Sequence, residues 1–374
     1  MRFDPLVFVP GYSELEISIK NALFHLPLHH REEKFREHLK SCKDQLKNIL
    51  QVEEVILLSC SGTGAMEACV STFCKNPLCI SSGKFGDRFI DIANALNLNV
   101  ESIKNEWNEE PKINEIKNAI MKNKKIDSIC MQICDSSSGI RIDIESIAKE
   151  VKNIDSNILV IADGIASIGA EKIETNNIDV LIASPSKAFC MNSGVGVVGL
   201  SKLAIEKMKE ESKNKKSFYF NLAREFIDSK NNNTSFTPVA STIISLDKYL
   251  KIINLEEIYS HIRASSIATR ESLKSIGLEI YPKNPAPSIS VIYSEDSRMI
   301  IELLEKEYNI KIANGQDKLK NKVFRINHMG GIPVYKLLWL INAIELILEK
   351  LNIREFNGCS NRIFLDSYYK GISN

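Results

Sequence analysis

The sequence predicts an α/β protein whose mostly parallel sheet is covered by helices, followed by a smaller C-terminal α+β domain. The chain has 374 residues, too many for one compact core and suitable for two domains. Short runs rich in Ile, Val and Leu alternate with helical segments up to about residue 200. Such near-continuous apolar runs are typical of parallel strands that are buried on both faces. After residue 276 shorter strands alternate with helices, which predicts the second domain.

The elements are predicted in chain order. Residues 1–15 form an extended arm, and residues 16–250 form the large domain, beginning with a helical pattern over 31–50. Strands of its sheet are predicted at 55–58, 78–80, 128–133, 158–163, 179–182 and 194–200. One long helix is expected over 238–275, crossing between the domains. Residues 251–353 form the small domain, with strands at 288–293 and 322–326, and residues 354–374 are an extension without a predicted structure.

Composition excludes several classes of function. The 48 basic and 47 acidic residues leave a net charge of +1, which predicts neither nucleic acid nor an anionic membrane as partner. The nine cysteines are scattered without a Cys-x-x-Cys pair, as expected of a reduced cytoplasmic chain. The N-terminus lacks the apolar core of a signal peptide, and no run approaches the roughly 20 apolar residues of a membrane span. His29-His30-Arg31 has no metal-ligand spacing and no evident third ligand, so no metal site is expected.

Lys187 and Asp163 are the most informative pair. Asp163 ends one apolar run, and Lys187 lies just past the next, 24 residues later, which is about one strand–helix–strand unit. A lysine and an aspartate at the ends of adjacent strands are what pyridoxal phosphate requires. The lysine forms a Schiff base with its aldehyde, and the aspartate keeps its pyridine nitrogen protonated. The pair therefore predicts this cofactor.

Two glycine-rich segments predict different roles. Ser61-Gly62-Thr63-Gly64 follows a strand and opens a helix, where backbone N–H groups and hydroxyls are able to bind an anion. It is neither a dinucleotide fingerprint nor a P-loop, and a tight turn without a ligand remains an equal alternative. The segment over 194–199 does match G-x-G-x-x-G, but its valines make it strand-like, which favours close backbone packing.

Three further side chains lie at predicted strand ends or in strands. Phe85 is suited to stack on a flat ring, although a phenylalanine in a domain seam is the alternative. Ser137, among three consecutive serines, is suited to bond a phenolic oxygen, although a helix-cap turn is the alternative. Arg325 is suited to clamp a substrate carboxylate, with a surface arginine as the alternative.

In this order the motifs resemble the class V aminotransferases of fold type I, which depend on pyridoxal phosphate. The closest branch looks like the alanine–glyoxylate and serine–pyruvate aminotransferases. The resemblance runs from about Pro10 to Gly331, and its most specific stretches are 61–68, 163–169, 186–188 and 325–330. The chain departs from the pattern at Ser186, where relatives often have Gln, and at Tyr12, where they often have Pro.

The resemblance implies a role for each motif residue. Lys187 and Asp163 are the catalytic residues, and Arg325 and Gly11 bind substrate. The implied cofactor-binding residues are Ser61, Gly62, Thr63, Phe85, Ser137, Asp163, Ser186, Lys187 and Thr237. Thr237 lies in a segment that resembles the loop reaching a neighbouring subunit's phosphate, which implies a homodimer with shared sites.

The implied reaction moves an amino group from an amino acid of the alanine or serine type to a 2-oxo acid of the pyruvate or glyoxylate type. 2-Aminoethylphosphonate–pyruvate transamination on the same fold is the nearest alternative. A cysteine desulfurase-like lyase would need a mobile cysteine, for which Cys190 and Cys359 are the candidates. A non-catalytic protein that binds pyridoxal phosphate and a nicotinamide-dependent dehydrogenase are the remaining alternatives.

Overall fold

The structure is a computed structural model that describes residues 4–11, 28–211 and 217–373. Within these residues, a seven-stranded sheet forms the centre of the large domain, with the strand order β2-β10-β9-β8-β5-β3-β4. Its strands are β2 (Glu54–Leu58), β3 (Pro77–Ser81), β4 (Glu101–Lys104), β5 (Ser128–Gln132), β8 (Leu159–Asp163), β9 (Val180–Ala183) and β10 (Gly196–Leu200). Only β10 runs against the others, pairing antiparallel with both β9 and β2. The predicted α/β class with a mostly parallel sheet is confirmed.

Helices cover both faces of this sheet. One face carries α1 (Glu33–Leu50), α4 (Ile113–Lys122), α5 (Ile144–Ile154) and α8 (Ala240–Leu250). The other carries α2 (Gly62–Phe73), α3 (Lys84–Ala95), α6 (Lys202–Glu211) and α7 (Leu222–Lys230). Alternate residues of β2 enter the two cores, Val55 and Leu57 on one side and Ile56 and Leu58 on the other. Because successive strand side chains point to opposite faces, a strand buried on both faces reads as one continuous apolar run.

The predicted helix over 238–275 is wrong as a single element. The structure has α8, then a turn, then α9 (Leu255–Ser275). Asn254 ends the turn, because its side chain accepts a hydrogen bond from the Glu257 N–H at 3.4 Å and so caps α9. Asparagine satisfies helix-end donors better than it continues a helix, which explains the break.

The small domain has an antiparallel sheet with the order β11-β12-β15-β14. Its strands are β11 (Glu279–Ile280), β12 (Ile289–Tyr293), β14 (Ala313–Asn314) and β15 (Val323–Asn327). The helices α9, α10 (Ser297–Tyr308) and α11 (Val334–Lys350) pack on it. The N-terminal arm joins this domain: β1 (Leu6–Val7) pairs in parallel with β13 (Ile310–Lys311). A short hairpin of β6 (Cys134–Asp135) and β7 (Ile140–Arg141) follows β5 in the large domain.

The C-terminal extension, for which the sequence predicted no structure, contains the helix α12 (Cys359–Ser373). Phe364 and Tyr368 of α12 belong to the apolar core of the small domain. Buried Glu345 of α11 accepts hydrogen bonds from the N–H groups of Asn357 and Gly358, which fixes the connection. The domain boundaries at residues 15, 250 and 353 remain predictions. Among the described helices, none combines the length and apolar character needed to cross a bilayer.

Candidate functional site

A cavity of about 190 Å³ lies at the carboxyl end of the large sheet. The parallel strands β2, β3, β5, β8 and β9 all end at this edge, so the loops that follow them converge there. The cavity is lined by Ser61, Gly62, Thr63, Met66, Phe85, Arg88, Cys134, Ser136, Asp163, Ile165, Ala166, Ser184, Ser186 and Lys187. Seven of the residues predicted for the site from sequence are in this lining: Ser61, Gly62, Thr63, Phe85, Asp163, Ser186 and Lys187.

Asp163 enters the cavity from the last position of β8. Its side chain is buried, and its Oδ1 accepts a hydrogen bond from the Ile165 N–H at 2.9 Å. Burial raises the pKa of Asp163 to about 7. The nearby Asp135 carboxylate raises it further, whereas the Ile165 N–H, Arg88 and Lys187 lower it. A cationic ligand atom beside Asp163 would therefore replace the solvation that the carboxylate has lost.

Lys187 follows the adjacent strand β9, which is in register with β8 so that Asp163 lies opposite Ile182. Burial lowers the pKa of Lys187, and the positive charges of Arg325 and Arg88 lower it further against the opposing effect of Asp163. An amine with a lowered pKa is neutral at a lower pH than an ordinary lysine, and only the neutral amine is a nucleophile or a base.

Gly11 brings the N-terminal arm onto this amine. A Cβ atom at Gly11 would lie 2.7 Å from Lys187 Nζ, and the residue has a φ of +99°. Both the missing side chain and the positive φ make glycine the residue that fits there. The arm therefore reaches the site from the small domain.

The N-terminus of α2 forms one wall. Ser61 caps the helix by accepting a hydrogen bond from the Gly64 N–H at 3.4 Å, and Thr63 lies in the first turn. A Cβ at Gly62 would lie 2.4 Å from Ile165 Cδ1, so the backbone there touches the wall formed after β8. Partial positive charge at a helix N-terminus favours an anion at this wall.

Phe85 and Arg88 form a second wall from the first turns of α3. The guanidinium carbon of Arg88 lies 4.5 Å from the centroid of the Phe85 ring, and Arg88 Nη1 donates a hydrogen bond to Thr63 Oγ1 at 2.8 Å. Arg88 was not predicted from the sequence. Its position in the sequence indicated the contact, because Arg88 follows Phe85 by three residues, and residues at that spacing lie on the same face of a helix.

In the serine loop after β5, the serine that faces the cavity is not the one predicted from the sequence. Ser136 and Cys134 line the cavity, whereas Ser137 does not. The Ser137 hydroxyl donates to Asp135 Oδ1 at 2.6 Å and accepts from the Lys84 N–H at 2.9 Å. The structure thus places Ser137 behind the wall and its neighbour Ser136 in it.

Buried Asp135 organises this corner. Its Oδ2 accepts hydrogen bonds from the N–H groups of Phe85 at 2.9 Å and Gly86 at 3.0 Å, at the N-terminus of α3. Its Oδ1 accepts from the Ser137 N–H at 3.0 Å. Asp135, like Arg88, was not predicted from the sequence.

The remaining predicted residues are distributed as follows. Ser186 pairs its hydroxyl with that of Ser184 at 2.9 Å, beside Lys187. Arg325 is 7% exposed and lies in β15 behind the lining, where its Nε donates to the Asn314 carbonyl at 2.9 Å and its Nη1 to the Ser136 carbonyl at 3.0 Å. Burial lowers the pKa of Arg325 to about 10. Thr237 is exposed and is not part of the lining.

The cysteines that the desulfurase alternative needs are elsewhere. Neither Cys190 nor Cys359 is in the lining, and Cys359 starts α12 on the small domain. Cys134 is the cysteine in the lining, and burial raises its pKa well above the usual range, so it remains a thiol. Among the described residues, no cluster of three or more His, Cys, Asp or Glu side chains is able to hold a metal ion.

The fold and the cavity together define an α/β transferase of fold type I. Residues 14–330 match the family Aminotransferase class-V, and the chain belongs to this family. It is therefore an aminotransferase, and the predicted family is confirmed.

Relatives of the chain cover almost all of it. A Helicobacter pylori protein named as an uncharacterized aminotransferase is 37% identical over 98% of this chain and 100% of its own length. The serine–glyoxylate aminotransferase of Methylorubrum extorquens is 26% identical over 91% of this chain and 90% of its own. A solved structure of an aspartate aminotransferase from Thermus thermophilus has a TM-score of 0.85 and 26% identity, covering 92% of this chain and 99% of its own.

Proposed function

We propose that the chain binds pyridoxal phosphate through Lys187 and transfers the amino group of a small amino acid to a small 2-oxo acid. The observation that carries the proposal is the position of Lys187 and Asp163 in one cavity, at the ends of two neighbouring parallel strands. Their buried surroundings favour a neutral lysine and disfavour an isolated carboxylate. A ligand that bonds to the amine and places a cationic nitrogen beside the carboxylate suits both groups.

The other lining residues fit the same cofactor. Its phosphate requires donors, and Ser61 and Thr63 offer hydroxyl groups at the N-terminus of α2. Ser186 offers a further hydroxyl group in the lining. Its flat ring requires apolar walls, which Phe85 and Ile165 supply. Ser136, rather than Ser137, offers a hydroxyl from the loop after β5.

Lys187 and Asp163 each have a task in the proposed reaction. When bound, the cofactor supplies an aldehyde that takes up the amino group and a ring that accepts the electron pair of the broken Cα–H bond. Lys187 would remove the proton from the substrate Cα as a neutral amine, hold it on Nζ and release it again in the second half of the reaction. Asp163 keeps the ring nitrogen protonated through its negative charge.

Arg325 is the proposed holder of the substrate's α-carboxylate. Two of its nitrogen atoms are fixed by backbone carbonyl groups, so the side chain is oriented before substrate arrives. A planar guanidinium binds a carboxylate through paired hydrogen bonds. Because it binds a phosphonate in the same way, the assay with both donors has to separate an α-amino acid from an aminophosphonate.

Small substrates are proposed for two reasons. Gly11 lies directly against Lys187, which leaves little room beside the reacting amine. One relative is named a serine–glyoxylate aminotransferase. Because a solved structure of similar identity is named an aspartate aminotransferase, aspartate belongs in the same test.

We also propose a homodimer. Thr237 is exposed on a loop whose neighbour Phe236 stacks on Tyr219, with ring centroids 4.9 Å apart. Phe218, 74% exposed, extends this aromatic cluster, and a second copy of the chain would cover it. The cytoplasmic location remains a prediction.

Spectroscopy tests the proposal. The protein mixed with pyridoxal phosphate should turn yellow, and borohydride reduction should attach the cofactor permanently to the peptide that contains Lys187. Alanine, serine, aspartate, cysteine and 2-aminoethylphosphonate are then added one at a time. We expect alanine or serine to bleach the band fastest, with the matching keto acid released.

Two variants provide the controls. Lys187→Ala should lose the covalent attachment and all turnover, whereas Lys172→Ala, at an exposed position, should keep both. Attachment to a different lysine, or normal turnover by Lys187→Ala, would exclude the proposed role. Fastest bleaching by aspartate or by the phosphonate would retain the cofactor and overturn the substrate class, and sulfide release from cysteine would favour the lyase.

A further inference from the structure

Arg88 is a cation in the cavity wall that the proposed reaction does not use. Its Nη1 donates to Thr63 Oγ1, and its guanidinium lies over the Phe85 ring. These contacts connect the N-terminal part of α3 to the first turn of α2. The cation thus touches two cavity walls at once.

The guanidinium has more donors than the protein uses. An arginine carries five N–H donors, and in the part of the chain that the structure describes one hydrogen bond from Arg88 is found. No carboxylate of those residues lies within 4.0 Å of it. Asp163 in the same cavity interacts with Arg88 over a longer distance, so the remaining N–H donors of Arg88 are open to an anionic ligand.

The hydrogen bond from Arg88 orients the hydroxyl group of Thr63. A threonine hydroxyl has one proton to donate and two lone pairs to accept with. Arginine only donates, so Arg88 occupies a lone pair of Thr63 and leaves the proton for another group. Within the described residues, no acceptor for this proton is found, and Thr63 lines the cavity. The proton is therefore available to an anion at the N-terminus of α2.

We propose that Arg88 is a positioning residue for the phosphate of the cofactor: it holds the Thr63 hydroxyl so that its proton is donated to a phosphate oxygen. This inference rests on the proposed function, because it assumes that the cavity takes pyridoxal phosphate. The inference goes beyond the proposed function because it assigns the selectivity of the site for a phosphate group to Arg88, which acts through Thr63. The stacked Phe85 ring keeps the guanidinium plane in place for this task.

The experiment compares two cofactor forms that differ only in the phosphate. Cofactor-free protein is titrated with pyridoxal phosphate, with pyridoxal, and with pyridoxal in the presence of inorganic phosphate, and Kd is read from the absorbance of the lysine-bound form. The variants are Thr63→Val, Arg88→Met, the double variant and Arg88→Lys. Lys84→Met is the matched control, because it removes a cation from the same helix that pairs with Asp317 instead of facing the cavity.

Thr63→Val and Arg88→Met should each weaken pyridoxal phosphate by about tenfold or more, as expected for the loss of a hydrogen bond to a charged group. Pyridoxal binding should change much less than pyridoxal phosphate binding, because the lost hydrogen bond involves the phosphate alone, whereas the loss of the Arg88 charge near Lys187 affects both forms equally. The double variant should bind as weakly as either single variant, since both remove the same bond. Arg88→Lys should bind more tightly than Arg88→Met, and Lys84→Met should bind like the wild type.

Three results would overturn the inference. Equal losses for pyridoxal and pyridoxal phosphate would show general damage to the pocket. Losses that multiply in the double variant would show that Arg88 acts independently of Thr63. Unchanged selectivity in a folded Arg88→Met protein would show no role at all. A wild-type protein that binds neither form would instead refute the proposed function itself, so the two failures are distinguishable.

Discussion

A single buried carboxyl group, Asp163, gives the protein a pH dependence that is opposite to that of most carboxylates. In the unfolded chain an aspartate has a pKa of about 4. Burial raises the pKa of Asp163 in the folded chain to about 7. Between these values the folded state binds more protons than the unfolded state, so stability falls as the pH rises through this window.

Asp163→Asn removes this penalty, because the amide stays neutral at every pH. The cofactor-free variant should be more stable than the wild type at pH 8, by at most about 4 kcal/mol, and the difference should shrink towards zero near pH 4. Urea unfolding at several pH values measures this. Asp91→Asn, at an exposed position on α3, is the control and should change little. An equal gain at both ends of the pH range would contradict the assignment to the carboxyl group.

Sequence patterns identified individual residues where their position followed from a strand end. Lys187 and Asp163 each stand after an apolar run, and parallel strands bring such positions to one edge of the sheet. Ser136 and Ser137 could not be separated in this way. Which of them lines the cavity depends on Asp135, which takes the Ser137 hydroxyl for itself. The Ser137 hydroxyl also accepts a hydrogen bond from the Lys84 N–H, a contact between residues 53 apart that no local pattern contains.

At the scale of elements, helix α3 is capped from a distance. Its N-cap residue is Gly83, which has no side chain to offer, and Asp135 accepts from the N–H groups of Phe85 and Gly86 instead. A Cβ at Gly83 would lie 2.2 Å from Asp135 Cγ, so the glycine makes room for this carboxyl group. The cap therefore joins the start of α3 to the serine loop.

Asp135→Ala leaves these buried donors without a partner and should lower the free energy of unfolding by about 2 to 4 kcal/mol. Because Phe85 and Arg88 both extend from the start of α3, cofactor binding should weaken as well. Urea unfolding and a cofactor titration measure the two effects. Ser137→Ala is the matched comparison: it removes one of the hydrogen bonds to Asp135, so it should destabilise less and leave the cofactor affinity unchanged. A larger loss of affinity in Ser137→Ala would restore Ser137 as a cofactor ligand.

Helices and strands whose apolar residues repeat regularly were predictable from the sequence, whereas the junctions between them were not. The apolar runs predicted six of the seven strands of the large sheet, because a strand buried on both faces has few polar positions. The remaining strand, β4, was missed because most of its residues are exposed and polar. The turn between α8 and α9 was missed, since apolar residues continue through it at Ile252 and Ile253. Helix α12 was missed, although Phe364 and Tyr368 are four residues apart, as on one face of a helix. Phe364 and Tyr368 become buried only when α12 packs against the small domain.

At the scale of the whole molecule, the N-terminal arm connects the small domain to the site in the large domain. Strand β1 pairs with β13, and the Asn327 N–H donates to the Phe8 carbonyl at 2.9 Å, so the arm is fixed to the small domain. A few residues later Gly11 lies against Lys187. The position of the small domain is thereby transmitted to the surroundings of the reacting amine.

Gly11→Ala tests this connection. The added methyl group would lie 2.7 Å from Lys187 Nζ at a φ of +99°, so either the arm or the lysine has to move. A non-glycine residue in that backbone region costs about 1 to 2 kcal/mol, and we expect the free energy of unfolding to fall by about this amount. Attachment of pyridoxal phosphate to Lys187 should be slower, and turnover should fall more than the affinity for a small amino acid. Stopped-flow absorbance measures attachment, and steady-state kinetics measure turnover and the affinity for the amino acid.

Asp4→Ala, exposed near the start of the same arm, is the control and should behave like the wild type. Normal attachment and turnover in Gly11→Ala would mean that the arm yields without affecting the amine, and that the two domains are not coupled through it.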